Sequence, residues 1–266
     1  MTYRHLTIVR EGPGEVVERV TLNRPEVRNA LNDALIADLS EWAASIHEQR
    51  EQDRPRAALL AGAGPTFSAG ADLAWMAKTV DYTHEQNLQD AAALSRLFER
   101  LDTLPVPLIG RIHGAALGGG SGLAAVCDVA IAEDETVFGF TEVRLGIVPA
   151  VISPFVLAKI GRSAARELFL TGARFPAARA REIGLVHRVV PSAALDEAVA
   201  DCVQELLAGG PQAVAVAKTL IRRIATSPPD EAAELTAQTI AMRRVSAEGQ
   251  EGLRAFLDKR KPGWIG

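Results

Sequence analysis

The sequence of 266 residues offers little material for a covalent framework, because it contains only two cysteines, Cys127 and Cys202. Neither has a second cysteine or a histidine at metal-site spacing, which excludes a disulfide-rich fold and a zinc ribbon. We expect two buried, reduced thiols, no bound metal and a cytoplasmic protein. There is also no apolar run of about 18 residues and no signal-peptide pattern, so we predict no membrane span.

An excess of positive charge is missing as well. The sequence has 29 Lys and Arg against 33 Asp and Glu, a formal net charge of −4, and aromatic residues make up 5%. Nucleic-acid surfaces need clustered basic side chains, and single strands also need aromatic platforms for the bases. We therefore expect no nucleic-acid partner.

Three well-known glycine motifs are incomplete. A GxGxxG fingerprint and a GxSxG elbow centred on Ser121 would each need glycine where the sequence has Leu123, and GxxxxGK[ST] does not occur. These gaps argue against a dinucleotide site, an α/β-hydrolase nucleophile and a P-loop.

Strand and helix patterns alternate along the first two thirds of the chain, which predicts an α/β layered core. Short apolar or alternating runs predict strands at 5–10, 16–22, 56–61, 108–113, 129–132 and 137–138. Helical spacing predicts one helix capped by Asn32 or Asp33, with Leu35, Leu39, Trp42 and Ile46 on its buried face. It predicts another over 83–101, which carries Leu88, Leu94, Leu97 and Leu101. We expect a core over 1–194 and a helical region over 195–266.

Two glycine-containing corners follow predicted strands. The first is Phe67-Ser-Ala-Gly-Ala-Asp-Leu73, and the second is Gly118-Gly-Gly120 at the start of a predicted helix. Small residues after a strand leave backbone N–H groups free for a ligand, and a helix N-terminus adds a positive dipole end. Close packing between helix and strand would explain the same glycines, so both interpretations stay open at this point.

The combination of motifs is more specific than either corner. Phe-x-Ala-Gly-Ala-Asp-Leu, then Gly-x-Ala-x-Gly-Gly-Gly, Cys-Asp, and Phe138-Gly-Phe-Thr-Glu142 occur in that order. Upstream stands Leu22-Asn-Arg-Pro-Glu-Val-Arg-Asn-Ala-Leu31, and downstream stand the segments 172–186 and 256–262. This series resembles the enoyl-CoA hydratase/isomerase (crotonase) superfamily over nearly the whole chain.

The resemblance implies a crotonase fold, a ClpP-like spiral of strand–strand–helix units, with a helical C-terminal region for trimerisation and active-site cover. It implies a homotrimer, paired into a hexamer, that acts on an acyl-CoA; coenzyme A is part of the substrate and no separate cofactor is needed. The Ala71 and Gly119 N–H groups would form an oxyanion hole, with Glu142 as acid and base. The expected substrate and CoA contacts are Arg28, Ala30, Ala69, Asp72, Leu73, Gly118, Gly122, Thr141 and Ala150.

One position departs from the family pattern. Two-acid hydratases of this family carry a second glutamate where this sequence has Gly122. Glu142 could then perform both proton transfers of a hydration, or the chain could be a Δ3-Δ2-enoyl-CoA isomerase that needs one carboxylate. The substrate or another loop could also hold the water. A non-catalytic CoA-thioester binder or an RNA-binding relative is a further alternative.

Several flanking segments favour the hydration hypothesis. Val148-Pro-Ala-Val-Ile-Ser-Pro-Phe155 replaces a glycine-rich family segment, and with residues 71–76 and 246–256 it is similar to the bacterial methylglutaconyl-CoA hydratase-like branch of leucine breakdown. An acidic acyl group would need a cation, and the candidates are Arg144, Lys78 and Arg174. Arg28 and the basic cluster 259–261 are candidates for the CoA phosphates, Asp72 is expected to order its own loop, and His113 is expected to be structural.

Overall fold

The computed structural model describes residues 3–265, in which strands and helices alternate as far as the final helical region. The strands are β1 (Leu6–Glu11), β2 (Val17–Leu22), β3 (Ala57–Gly62), β4 (Leu108–Ile112), β5 (Ala115–Leu117), β6 (Val129–Glu133), β7 (Val137–Gly139), β8 (Arg174–Pro176) and β9 (Arg188–Val190). The helices are α1 (Asp33–Glu48), α2 (Leu73–Thr79), α3 (His84–Asp102), α4 (Gly119–Val126), α5 (Ser153–Thr171), α6 (Ala177–Glu182), α7 (Leu195–Ala208), α8 (Pro211–Thr226), α9 (Pro229–Val245) and α10 (Ala247–Leu257).

The main sheet has the strand order β1-β2-β3-β4-β6-β9, with an antiparallel first pair and parallel pairs after it. The apolar run of β3 reflects its central place. Ala58 and Leu60 pack in the larger core cluster, whereas Ala57 and Leu59 face a second cluster with α7. A parallel strand covered on both faces needs apolar residues throughout, because neither face meets water.

The two predicted helices of the first half are present. Asn32 caps α1 by accepting a hydrogen bond from the Leu35 N–H at 2.9 Å, and the predicted apolar face of α1 is buried. Thr83 caps α3 in a capping box with Gln86. Leu88 is 60% exposed, because α3 contacts the core through its last turns, where Leu97, Phe98 and Leu101 are buried.

A second, small sheet was only partly predicted. It has the order β5-β7-β8, and β5 pairs in parallel with β7 from Ala115↔Val137 to Leu117↔Gly139. We expected a helix to follow the strand at 108–113 directly, but residues 115–117 are extended and α4 begins only at Gly119. A strand of three residues is too short to show an alternating pattern.

The C-terminal helices differ in how they meet the core. Helix α7 closes the second cluster with Leu195, Val199 and Cys202, whereas α8 and α9 contain no buried residue. Lys218 of α8 forms a salt bridge of 2.6 Å with Asp128, and the Arg56 guanidinium donates to the carbonyls of Leu207 and Trp264. Both thiols, Cys127 and Cys202, are buried as predicted. Trimer contacts and active-site cover by this region stay predictions.

Within residues 3–265, no helix combines the length and the apolar character that crossing a membrane would require.

Candidate active site

The first glycine corner acts as an additional strand of the small sheet. On one side, the Leu31 N–H donates to Gly70 O at 2.6 Å and the Asp72 N–H donates to Leu31 O at 2.9 Å. On the other side, the Ser68 N–H donates to Ala115 O and the Leu117 N–H donates to Ser68 O, both at 3.0 Å. The segment 68–72 therefore lies between the loop that precedes α1 and strand β5.

The hydrogen-bond ladder opens immediately beyond this pairing. Leu31 bonds to the residues on either side of Ala71, so the Ala71 N–H points toward the β5 side. There β5 has already ended, because Gly118 turns the chain into α4 with φ 51° and ψ −118°. The Gly119 N–H, at the first residue of α4, has no intrahelical acceptor. Within residues 3–265, neither N–H donates a hydrogen bond.

Glycine is required for different reasons at different positions of the two corners. A Cβ on Gly70, where φ is 93°, would lie 2.7 Å from Leu117 O, and one on Gly120 would overlap Ser68 O. These two positions permit close packing between the corners. A Cβ on Gly118 would instead lie 3.3 Å from Glu142 Oε1. The packing interpretation therefore holds for Gly70 and Gly120, whereas Gly118 faces a carboxylate.

Glu142 reaches this corner through the pairing of β7 with β5. It is the first residue of a short 3-10 turn, Glu142–Leu145, that follows β7. Its Oε2 atom is buried and has no hydrogen-bond partner among the residues that the structure describes. Burial raises the pKa of Glu142 above its ordinary value, because a carboxylate loses hydration without gaining a cation. Perturbed carboxylates of this kind are common at functional sites.

The other predicted site residues fall into three groups. Arg28, Ala30, Ala69 and Asp72 lie together, since the Ala69 N–H donates to Arg28 O and Asp72 follows the bridge with Leu31. Thr141 directly precedes the Glu142 turn. Leu73, at the start of α2, is 82% exposed, and Ala150 is exposed in the loop before α5. Within residues 3–265, neither forms a backbone hydrogen bond with Glu142.

Gly122 lies in a different environment from Gly118. A Cβ there would overlap the side chain of Ile152 and lie 3.0 Å from Phe98 Cε1. Ile152 and Phe98 are both buried. Hydrocarbon thus fills the position at which a second family glutamate would begin.

Sequence reasoning identified Asp72 but missed its partner Arg24. As predicted, Asp72 orders its own loop, because its Oδ1 accepts hydrogen bonds from Ala74 N–H at 2.8 Å and Trp75 N–H at 3.2 Å. Its Oδ2 accepts from Arg24 Nη2 at 2.8 Å. Arg24 lies within the quoted Leu22–Leu31 motif, but a separation of 48 residues gives no local signal of contact.

The remaining charged candidates are dispersed. The His113 ring contacts Gly64 O at 2.8 Å and Arg111 Nη1 at 3.2 Å, so both ring nitrogens are engaged away from Glu142. Lys78 lies 3.7 Å from Asp33. Arg144 and Arg174 are exposed, and neither forms a salt bridge within residues 3–265.

The two-sheet spiral with its helical C-terminal region is the crotonase fold. An enoyl-CoA hydratase from Shewanella pealeana superposes with a TM-score of 0.91 at 37% identity, over 98% of this chain and 96% of that one. Pseudomonas aeruginosa AtuE superposes with a TM-score of 0.92 at 37% identity, over 99% of this chain and 100% of that one.

The sequence profile of the enoyl-CoA hydratase/isomerase family matches residues 13–266, and the chain belongs to that family. One curated relative, the enoyl-CoA isomerase/hydratase fer4 of Mycosarcoma maydis, is 32% identical over 94% of this chain and 93% of its own length. The protein is therefore an enzyme of the hydratase or isomerase type, and the names of these relatives do not specify an acyl chain.

Proposed function

We propose that the protein is an enoyl-CoA hydratase that uses Glu142 as its single acid and base. The observation that carries this proposal is the position of the Glu142 carboxylate. The residue is half-buried, its Oε2 atom is buried without a partner among the described residues, and its Oε1 faces Gly118 beside the unpaired Gly119 N–H. A carboxylate whose pKa is raised toward neutrality exchanges protons more readily than an exposed one.

The thioester oxygen would lie in the opening between the two corners and accept hydrogen bonds from the N–H groups of Ala71 and Gly119. Both donors are fixed before substrate arrives, Ala71 by the bridge with Leu31 and Gly119 by helix α4. Donors that are preorganised for the enolate oxygen are worth about 10²- to 10³-fold each in rate.

In the hydration direction, Glu142 removes a proton from water as the hydroxide adds to the β-carbon of the enoyl thioester. The electron pair of the double bond moves through the α-carbon to the thioester oxygen, where the two N–H groups stabilise the enolate. Protonated Glu142 then returns the proton to the α-carbon on the same face, which restores the thioester and the carboxylate.

The environment of Gly122 supports a mechanism with one carboxylate. Ile152 and Phe98 occupy the space into which a side chain at position 122 would project. The same observation favours the alternative function, a Δ3-Δ2-enoyl-CoA isomerase. There Glu142 would remove a proton from the α-carbon of a 3-enoyl-CoA and return it to the γ-carbon, and no water would be needed.

For the substrate, we propose a branched 2-enoyl-CoA with an acidic end, such as 3-methylglutaconyl-CoA, an intermediate of leucine breakdown. Arg144 stands two residues after Glu142, and Arg174 pairs with Gly139 in the register of β7 with β8, three residues before Glu142. Both are close in the fold to Glu142 and have no salt bridge within residues 3–265. Either could pair with a distal carboxylate, whereas Lys78 has Asp33 as a neighbour.

We also propose that the chain functions in the cytoplasm as a homotrimer, paired into a hexamer. The support is the set of large apolar side chains that the C-terminal helices expose: Ile221, Ile224, Ile240, Met242, Val245, Leu253, Phe256 and Leu257. Exposed apolar surface, where it is contiguous, marks an interaction site.

The test is a mass-resolved assay in heavy-oxygen water with 3-methylglutaconyl-CoA and crotonyl-CoA. Wild type should incorporate label into the 3-hydroxyacyl product, and Glu142→Gln should not. Glu135→Gln, a change at an exposed carboxylate near β7, is the matched control and should behave as wild type. If wild type incorporates no heavy oxygen but, in a parallel assay in deuterium oxide, converts a 3-enoyl-CoA into a deuterated 2-enoyl isomer, the isomerase replaces the hydratase.

A further inference from the structure

A buried ion pair joins the two loops on which the oxyanion donor depends. Arg24 Nη2 and Asp72 Oδ2 lie 2.8 Å apart, and the two side chains are 10% and 7% exposed. Burying both charges has a desolvation cost that often exceeds the attraction between them, so such a pair is weak evidence for added stability. A geometric role explains its presence better.

The guanidinium of Arg24 connects the loop before α1 to the loop before α2. Its Nη1 donates to Ala30 O at 2.5 Å while Nη2 donates to Asp72, and Nε has no partner among the described residues. The two bonds therefore act as a fork between Ala30 and Asp72. These residues directly precede Leu31 and follow Ala71, the two partners of the parallel bridge.

Asp72 links the Arg24 fork to the backbone beside Ala71, whose N–H is the proposed oxyanion donor. Its N–H donates to Leu31 O, and its Oδ1 accepts the N–H groups of Ala74 and Trp75 at the start of α2. Burial alone would raise the pKa of Asp72, but the bonds from Arg24 and from those two N–H groups lower it below its ordinary value. Asp72 is therefore an anion at neutral pH and is held at three sides.

We propose that Arg24 is a positioning residue: through Asp72 and Ala30 it fixes the orientation of the Ala71 N–H toward the thioester oxygen. The inference rests on the proposed oxyanion role of Ala71. Loss of the fork would let the bridge with Leu31 twist, which misaligns the donor without removing it. The Arg24 side chain is only 10% exposed, so its replacement acts through Ala30 and Asp72 rather than through a contact of its own with the substrate.

In steady-state kinetics, Arg24→Met should lower kcat about 10- to 100-fold, a part of what loss of one oxyanion donor costs. KM should change by less than about 3-fold, because the donor stabilises the enolate-like transition state more strongly than the bound thioester. Arg24→Lys keeps the charge but replaces the planar two-nitrogen fork with a single ammonium, so it should restore only part of kcat. Asp72→Asn keeps the helix cap and tests the same link if Arg24→Met does not fold.

The decisive readout does not depend on turnover. The test uses the Glu142→Gln protein and crotonyl-CoA labelled with carbon-13 at C1. The infrared carbonyl stretch of the bound ligand should lie at lower frequency than that of the same labelled ligand free in solution, because two N–H groups polarise the carbonyl. Adding Arg24→Met should reduce that shift. Adding Arg111→Met, which removes another long-range Arg–Asp pair of 2.6 Å with Asp196, should leave it unchanged.

The outcomes separate the two proposals. No shift in the Glu142→Gln protein with crotonyl-CoA bound would remove the oxyanion hole itself and with it the proposed function. A shift that persists unchanged in the Arg24→Met and Asp72→Asn proteins would overturn the role of Arg24 and leave the proposed function intact.

Discussion

Helix α4 and helices α8 and α9 represent opposite ways of using a helix in this molecule. In α4, every residue after Gly119 is buried, and its first turn touches the segment 68–72. In α8 and α9, no residue is buried, although both helices carry large apolar side chains. The corner beside Glu142 is therefore packed within the chain, whereas α8 and α9 leave large apolar side chains exposed. Substitutions should separate chemistry from assembly along this division.

The largest effect is expected at Glu142. Glu142→Gln should lower kcat by about 10²- to 10⁴-fold, the range for loss of a positioned acid–base group. Because burial raises the pKa of Glu142, the acidic limb of the kcat/KM profile of wild type should lie above the ordinary value of 4.5. A limb at or below that value would show that Glu142 is solvated in the free enzyme.

The same pKa shift predicts that Glu142→Gln, which should lower activity, raises stability at high pH. A carboxyl with a raised folded-state pKa stabilises the fold when protonated, and that contribution is lost as pH rises through the raised pKa. Glu142→Gln should therefore have a higher Tm than wild type at pH 8, and the difference should vanish below pH 4.5, the ordinary value. Thermal melts across this pH range measure it, and Glu135→Gln should show no such gain.

The glycine corner offers a matched comparison between packing and chemistry. A Cβ at Gly120 would overlap the backbone of Ser68, whereas one at Gly119 would lie 2.7 Å from Cδ1 of Leu31, a flexible side-chain end. Gly120→Ala should cost about 1–3 kcal/mol in unfolding free energy, as overpacking does. Gly119→Ala should cost less stability but more kcat, because it tilts a proposed donor. Urea titrations and kinetics on both proteins measure these losses. If the assignments are wrong, Gly119→Ala will lose more stability and Gly120→Ala will lose more kcat.

Substitutions at Gly122 test whether Ile152 and Phe98 fill the space in which two-acid hydratases of the family carry their second glutamate. Gly122→Ala should cost about 1–3 kcal/mol, because the new methyl group meets Ile152 and Phe98. In the double variant with Ile152→Ala the cost should fall, giving a coupling energy of about 0.5–3 kcal/mol between contacting positions. Additive losses in urea titrations would mean that Ile152 does not fill this space.

The sequence allowed the α/β class, the main strands, the α1 face and the crotonase fold to be predicted, because each depends on local periodicity or on ordered motifs. It could not show that residues 68–72 pair with both Leu31 and β5, since these bonds join segments far apart in the chain. The contact of Arg24 with Asp72 was not predicted for the same reason, because 48 residues separate the two. The sequence also could not show that Ile152 occupies the space beside Gly122, because a glycine is compatible both with open space and with a close neighbour.

The smallest effect on the isolated chain is expected on α8. Ile221 is 71% exposed, so Ile221→Ser should change the unfolding free energy of a monomer by no more than about 0.5 kcal/mol, as surface substitutions do. If α8 forms the proposed trimer surface, the same change should lower the mass measured by light scattering at micromolar protein. Glu231→Ser, an exposed polar site on α9, is the control and should leave the mass unchanged. An unchanged mass for both variants would place the assembly surface elsewhere, and the division between the buried α4 and the exposed α8 would then concern folding alone.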